Sequence, residues 1–124
     1  MLIFAPSARV YLSVNGDNTQ SYAYRRQEEG GSDSTYVNQE QIKLDRNTTE
    51  SSFIYFYAYN DPNEEKLFVL QASSDNESGA STAPKRQEIV FKWTNTSDAI
   101  DEINLVSSTG DLEQYTSVAV LGTD

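Results

Sequence analysis

Apolar and polar residues alternate along most of this chain with a period of two. That is the signature of a half-buried β-strand. It is clearest in the last third, Lys85 to Gly122. There Ile89, Phe91 and Trp93 share one face, with Gln87, Val90 and Lys92 between or opposite them. Ile103 and Leu105 alternate with Glu102 and Asn104, and Val118 and Val120 with Ser117 and Ala119. Short polar segments join these runs, which predicts a three-strand β-meander with its own hydrophobic layer. Its expected core residues are Ile89, Phe91, Trp93, Ile103, Leu105, Val118 and Val120.

Upstream, residues 8–14 alternate Val10, Leu12 and Val14 with Arg9, Tyr11 and Ser13. Asn15-Gly16 supplies the positive φ angles of a tight turn, so residues 19–26 are expected to return as the second arm of a hairpin, with Tyr22 and Tyr24 on one face. A Gly30-Gly31 loop spans 28–34, and residues 35–45 form a weaker strand with Ile42 and Leu44 as its apolar face. The segment SFIYFYAYN, residues 52–60, breaks the alternation because both faces are apolar or aromatic, as in a strand covered on both sides. Asp61-Pro62-Asn63-Glu64 reads as a turn, and residues 66–72 as a second two-faced strand pairing with the first. A Ser/Ala/Gly loop follows, over 73–84.

The sum is about eight strands and no helical period, which predicts an all-β fold, an antiparallel β-sandwich or jelly roll. No linker divides the 124 residues, so 1–124 reads as one domain with 1–7 as an N-terminal arm.

Composition narrows the chemistry. The formal net charge is −10 and there is no His. A basic footprint for nucleic acid is missing, and an anionic membrane would repel this surface. Without Cys there is no disulfide or thiolate metal site. The start, MLIFAPSARV, is apolar for too few residues, and lacks the basic flank, to read as a signal peptide or a membrane span. The Asn-x-Ser/Thr triplets at Asn47, Asn76 and Asn95 are put down to a composition rich in those residues.

The residues from Arg86 onward carry a resemblance. Arg86-x-Glu88, Phe91-Lys92-Trp93 and Asn95-Thr96-Ser97 are followed by Ile100, Ile103, Ser108-Thr109-Gly110 and an ending at Leu121-Gly122. The series resembles the C-terminal part of small β-sandwich structural proteins of tailed bacteriophages. Gln114-Tyr115-Thr116-Ser117 stands where those proteins carry Gly-Ser, and the Tyr of their ending is absent. The resemblance covers about residues 50–124 well and 8–49 loosely. It implies a virion component, either capsid decoration or a tail or fibre piece, made in the host cytoplasm. Its implied partners are copies of itself, with a closed trimer as the implied state, and other virion proteins.

Catalysis finds little support in the residues. Without His there is no Ser-His-Asp or Cys-His nucleophile system, and no Walker loop, dinucleotide fingerprint or HExxH occurs. A glycosidase pair would need two set carboxylates; Asp61, Glu64, Asp101 and Glu102 read instead as turn acids. No enzyme and no cofactor are expected. Calcium is the alternative, through Asn15, Asp17 and Asn18, through Asp33, or through Asp61 and Asn63; none has the spacing of a known six-to-eight-oxygen loop. Tyr22, Tyr24, Tyr55, Tyr57 and Tyr59 are the interaction candidates, since Tyr combines large area with a polar tip. Arg25 and Arg26 are the bases that could anchor a partner's carboxylates. A subunit interface is the preferred reading, and a carbohydrate-binding surface or host-receptor adhesin using the same tyrosines and the 28–34 and 73–84 loops is the alternative.

Overall fold

Ten β-strands and no helix make up the described part of the chain in a computed structural model, which describes residues 2–4, 10–44, 52–74, 79–108, 110, 117–120 and 122. In chain order the strands are β1 (Leu2–Phe4), β2 (Val10–Val14), β3 (Tyr22–Glu28), β4 (Ser34–Gln39), β5 (Ile42–Leu44), β6 (Ser52–Ala58), β7 (Lys66–Ser74), β8 (Lys85–Trp93), β9 (Ile103–Ser107) and β10 (Ser117–Ala119). They form two antiparallel sheets. One has seven strands in the order β10-β1-β6-β7-β8-β3-β4, and the other has three in the order β5-β2-β9.

The fold is a β-sandwich, as the alternation predicts. Each strand has one apolar face, and stacking two sheets hides those faces from water together. The shared core takes Val10, Leu12 and Val14 from β2 and Ile42 and Leu44 from β5. Against them lie Tyr22 and Tyr24, Ile54 and Phe56, Phe68 and Leu70, and Ile89, Phe91 and Trp93 from the large sheet. Phe68 and Phe91, opposite each other across β7 and β8, stack with ring centroids 4.2 Å apart.

Pairing departs from the predicted order in several places. The last third is no meander: β8 lies inside the large sheet, β9 pairs with β2 in the small one, and β10 pairs with β1 at the opposite edge. Asn15 and Gly16 do adopt positive φ, 51° and 66°. Yet β2 and β3 belong to different sheets, so the turn carries the chain from one layer to the other instead of closing a hairpin. The expected strand over 35–45 splits between Gln39 and Ile42, placing β4 at the edge of the large sheet and β5 in the small one. The arm expected over 1–7 contains β1, which sits between β10 and β6. Each departure has one cause. Alternation fixes which face is apolar, while the partner depends on where a long connection returns.

The β6–β7 hairpin forms as predicted, with Tyr55 opposite Gln71 and Tyr57 opposite Val69. Its turn is held by Asp61, whose carboxylate accepts from the Asn63 amide at 2.9 Å.

The predicted core holds in part. Ile89, Phe91 and Trp93 are buried; Ile103 and Leu105 are half-buried against the core. Val118 and Val120 are corrected: they are 46% and 68% exposed. The cause is position, since β10 is the outermost strand of its sheet, where a covering layer ends. Gln87, expected between the apolar residues, is buried on their side of β8.

Candidate interaction face

The outer face of the large sheet is built by the odd positions of β6 and β7 and the even positions of β8. Antiparallel register sets these side chains in rows across three strands. Tyr59 lies beside Leu67, its amide donating to the Leu67 carbonyl at 3.0 Å, and Leu67 pairs with Lys92. The next rows are Tyr57–Val69–Val90, Tyr55–Gln71–Glu88 and Phe53–Ser73–Arg86. The expectation that β6 and β7 are covered on both sides is therefore corrected. Ile54, Phe56, Phe68 and Leu70 are buried, but Phe53, Tyr55, Tyr57, Leu67 and Val69 are exposed, with Tyr57 at 57% and Leu67 at 60%. The small sheet covers the inner face only.

This face has relief. The rings on β6 and at Tyr59 run in a line along the face; Tyr55 and Tyr57 meet edge to face with centroids 5.4 Å apart, and Phe53 and Tyr55 border a concavity of about 350 Å³. Another concavity, of about 440 Å³, is bordered by Ala23, Arg25, Val37, Leu67, Val90 and Lys92. Taking roughly 150–250 Å² for each aromatic side chain, the four rings leave on the order of 400 Å² open, and with Leu67, Val69, Val90 and Val37 the face reaches on the order of 700 Å². The largest apolar patch on an ordinary monomer is roughly 300–600 Å².

Five tyrosines and two arginines were candidates for this role, and the structure divides them. Tyr55, Tyr57 and Tyr59 are on the open face. Tyr22 and Tyr24 are corrected: both are buried in the core, because the even positions of β3 face the small sheet. Arg25 is exposed and donates to Thr35 Oγ1 at 3.2 Å. Arg26 serves its own hairpin instead of a partner. It donates to the Tyr36 hydroxyl at 2.9 Å, lies 5.1 Å above that ring, and pairs with Glu28 at 3.6 Å.

Two polar clusters close one end of the sandwich. Asp17 accepts from Trp93 Nε1 at 2.8 Å and from the Thr19 amide and hydroxyl at 2.9 and 2.6 Å. Burial pushes its carboxyl up, but these donors and Ser21 outweigh burial and hold it at about 2. The Tyr22 hydroxyl accepts from the Val14 amide at 2.9 Å and donates to the Asp17 carbonyl at 2.8 Å. Burial, helped by the nearby Asp17 charge and opposed by the Val14 bond, pushes Tyr22 up to about 12.

Lys66 is the second cluster, and sequence reasoning missed it. Its side chain is fully buried, with Nζ donating to the carbonyls of Glu64 and Asn95 at 2.8 Å and of Pro62 at 3.4 Å, 5.4 Å from the Trp93 ring. The signal was present: Lys66 shares parity with Phe68 and Leu70.

Of the residues considered for calcium, Asn15, Asp17, Asn18 and Asp61 have side-chain oxygens with protein partners. Asn15 Oδ1 accepts from the Asp101 and Glu102 amides, tying the β8–β9 connection to the β2 turn. Asn18 Oδ1 accepts from Gln41. Among the described residues no three His, Cys, Asp or Glu side chains gather as a metal site. Asn95 uses its amide to hold Ser97 and Asp98, while Asn47 and Asn76 lie outside the described residues. Comparison with protein-family models, with curated proteins and with solved structures finds no match for this chain.

Proposed function

We propose that this chain is a non-enzymatic structural subunit of a virion, of the capsid-decoration, tail or fibre kind, and that it works by packing against copies of itself and neighbouring virion proteins. The observation that carries the assembly reading is the open aromatic face of β6–β8, which has more apolar area than a solitary domain ordinarily leaves to water. The virion setting comes from the resemblance of residues 50–124. In a symmetric shell or tail many copies of a modest contact add up, and the −10 charge keeps finished particles apart.

A sugar-binding surface is the second reading, favoured by Tyr57 and Tyr59, each more than half exposed. Against it stands the 68° angle between the Tyr55 and Tyr57 rings, which denies a glycan two coplanar faces in a row.

Solution mass by sedimentation tests the proposal. The expected result is a species heavier than the 13.9 kDa chain, growing with concentration and reduced to the single chain by Tyr57→Glu. A solitary 13.9 kDa species that binds a glycan saturably, and loses it on Tyr57→Ala, overturns it.

A further inference from the structure

We infer that the occupant of the open face is the same face of a second copy, related by a two-fold axis that lies in the interface and runs along β7. This deepens the self-association proposed above and rests on it.

The argument begins with geometry. A two-fold axis along a strand keeps the position along that strand and exchanges left for right. With the axis over β7, β6 of each copy lies over β8 of the other. Each row is then turned onto itself, so each of the four rings meets the β8 residue of its own row in the partner.

The four matches are all favourable. Tyr57 meets Val90, apolar on apolar. Tyr55 brings its hydroxyl to the Glu88 carboxylate. Tyr59 meets the Lys92 ammonium and Phe53 the Arg86 guanidinium, each a cation over a ring. No like charges are opposed in these rows. Lys92 also keeps Glu65 at 2.7 Å, so it enters the contact already neutralised. The partner's Tyr57 and Tyr59 come over the concavity bordered by Val90 and Lys92, and Val69, on the axis, meets its own copy.

Area and charge agree. On the order of 700 Å² is close to the roughly 800 Å² that each partner contributes to a stable interface. The chain carries a net −10, yet with Lys92 paired to Glu65 the remaining charged outer positions of β3, β7 and β8 are Arg25, Arg86 and Glu88, so this strip does not share the general acidity. Packed sheets cross at about 30°; about the Val69 row that rotation moves the Tyr57–Val90 match by roughly 2–3 Å, the Tyr55 and Tyr59 matches by roughly 4 Å and the Phe53 match by more than a strand spacing, so the pairing rests on the central rows.

The test uses the absence of native cysteine. Three full-length variants carry one cysteine each at exposed positions: Val69→Cys on the axis, Tyr57→Cys and Val90→Cys in one row. Val106→Cys, exposed on the small sheet, is the control. Treated with a short bis-maleimide that spans roughly the 10 Å between packed sheets, Val69→Cys is expected to give a linked two-copy species. Mixed Tyr57→Cys and Val90→Cys chains are expected to link to each other in preference to themselves, and Val106→Cys to remain unlinked. Independently, Tyr59→Lys should weaken association by roughly tenfold, through two ammonium groups in one row, and Tyr59→Glu, which faces the partner's Lys92, should weaken it far less.

Association that links at Val106→Cys, links at none of the three face positions, or gives a three-copy mass overturns this pairing and leaves the assembly reading standing. A chain that stays solitary at every concentration overturns both.

Discussion

On β7, Phe68 and Leu70 are sealed under the small sheet while Leu67 and Val69, their neighbours in the chain, stand in the open. The same holds on β6, where Ile54 and Phe56 are hidden and Phe53, Tyr55 and Tyr57 are not. The two faces of one sheet are therefore made of similar residues with opposite surroundings. The inner face is purely aliphatic and aromatic through its middle, and where it meets water it closes with satisfied polar groups, Asp17 on Trp93 and Lys66 on three carbonyls. The outer face sets apolar groups beside unburied charges, Val90 between Glu88 and Lys92. That mixture is poor for a core and suitable for a contact that must form and remain soluble before it forms.

The comparison is broken most severely from the inside. Trp93→Ala should cost about 3–5 kcal/mol in chemical unfolding, because it opens a cavity and strips Asp17 and Lys66 of a partner. Leu70→Ala should cost about 2–5 kcal/mol, while Leu67→Ala, three residues away on the open face, should change the stability of the separate chain by less than about 0.5 kcal/mol. A similar loss at both positions would mean that the outer face is already covered in the folded chain. Lys66→Met should lose roughly 1–3 kcal/mol despite gaining apolar character, because three carbonyls lose their charged donor.

A smaller effect than the core losses is set by pH. Asp17 titrates near 3.8 when unfolded and at about 2 when folded, so its contribution is complete above pH 3.8 and is lost as pH falls through 2. Solvent screening at this half-open site reduces it to about 1 kcal/mol. Asp17→Asn should flatten that acid limb in urea unfolding and leave the outer face unchanged. Tyr22, neutral to about 12 in the fold against 10.0 otherwise, should make stability fall as pH rises from 10 toward 12. Tyr22→Phe should remove that alkaline slope.

Legibility in the sequence followed locality. Ile89, Phe91 and Trp93 announced their face by alternation, as did the β6–β7 hairpin, whose turn is only a few residues long. Tyr22 and Tyr24 looked like Tyr55 and Tyr57 because all four alternate with other residues, and composition does not say which face a second layer will take. Lys66 was passed over because a charge suggests solvent, though its parity said otherwise.

By itself the sequence determined an all-β chain, the inward parity of β2 and β8, and a surplus of aromatic residues without the residues of familiar catalytic sites. Those properties depend on neighbours one or two positions away. Tertiary structure alone decided that β8, β9 and β10 go to three separate places, that β2 and β3 part into different layers, and that the small sheet covers one side of β6–β8 and leaves the other bare. Strand partnership is settled between segments many residues apart, by the total area two sheets can hide together, and no local pattern encodes that sum.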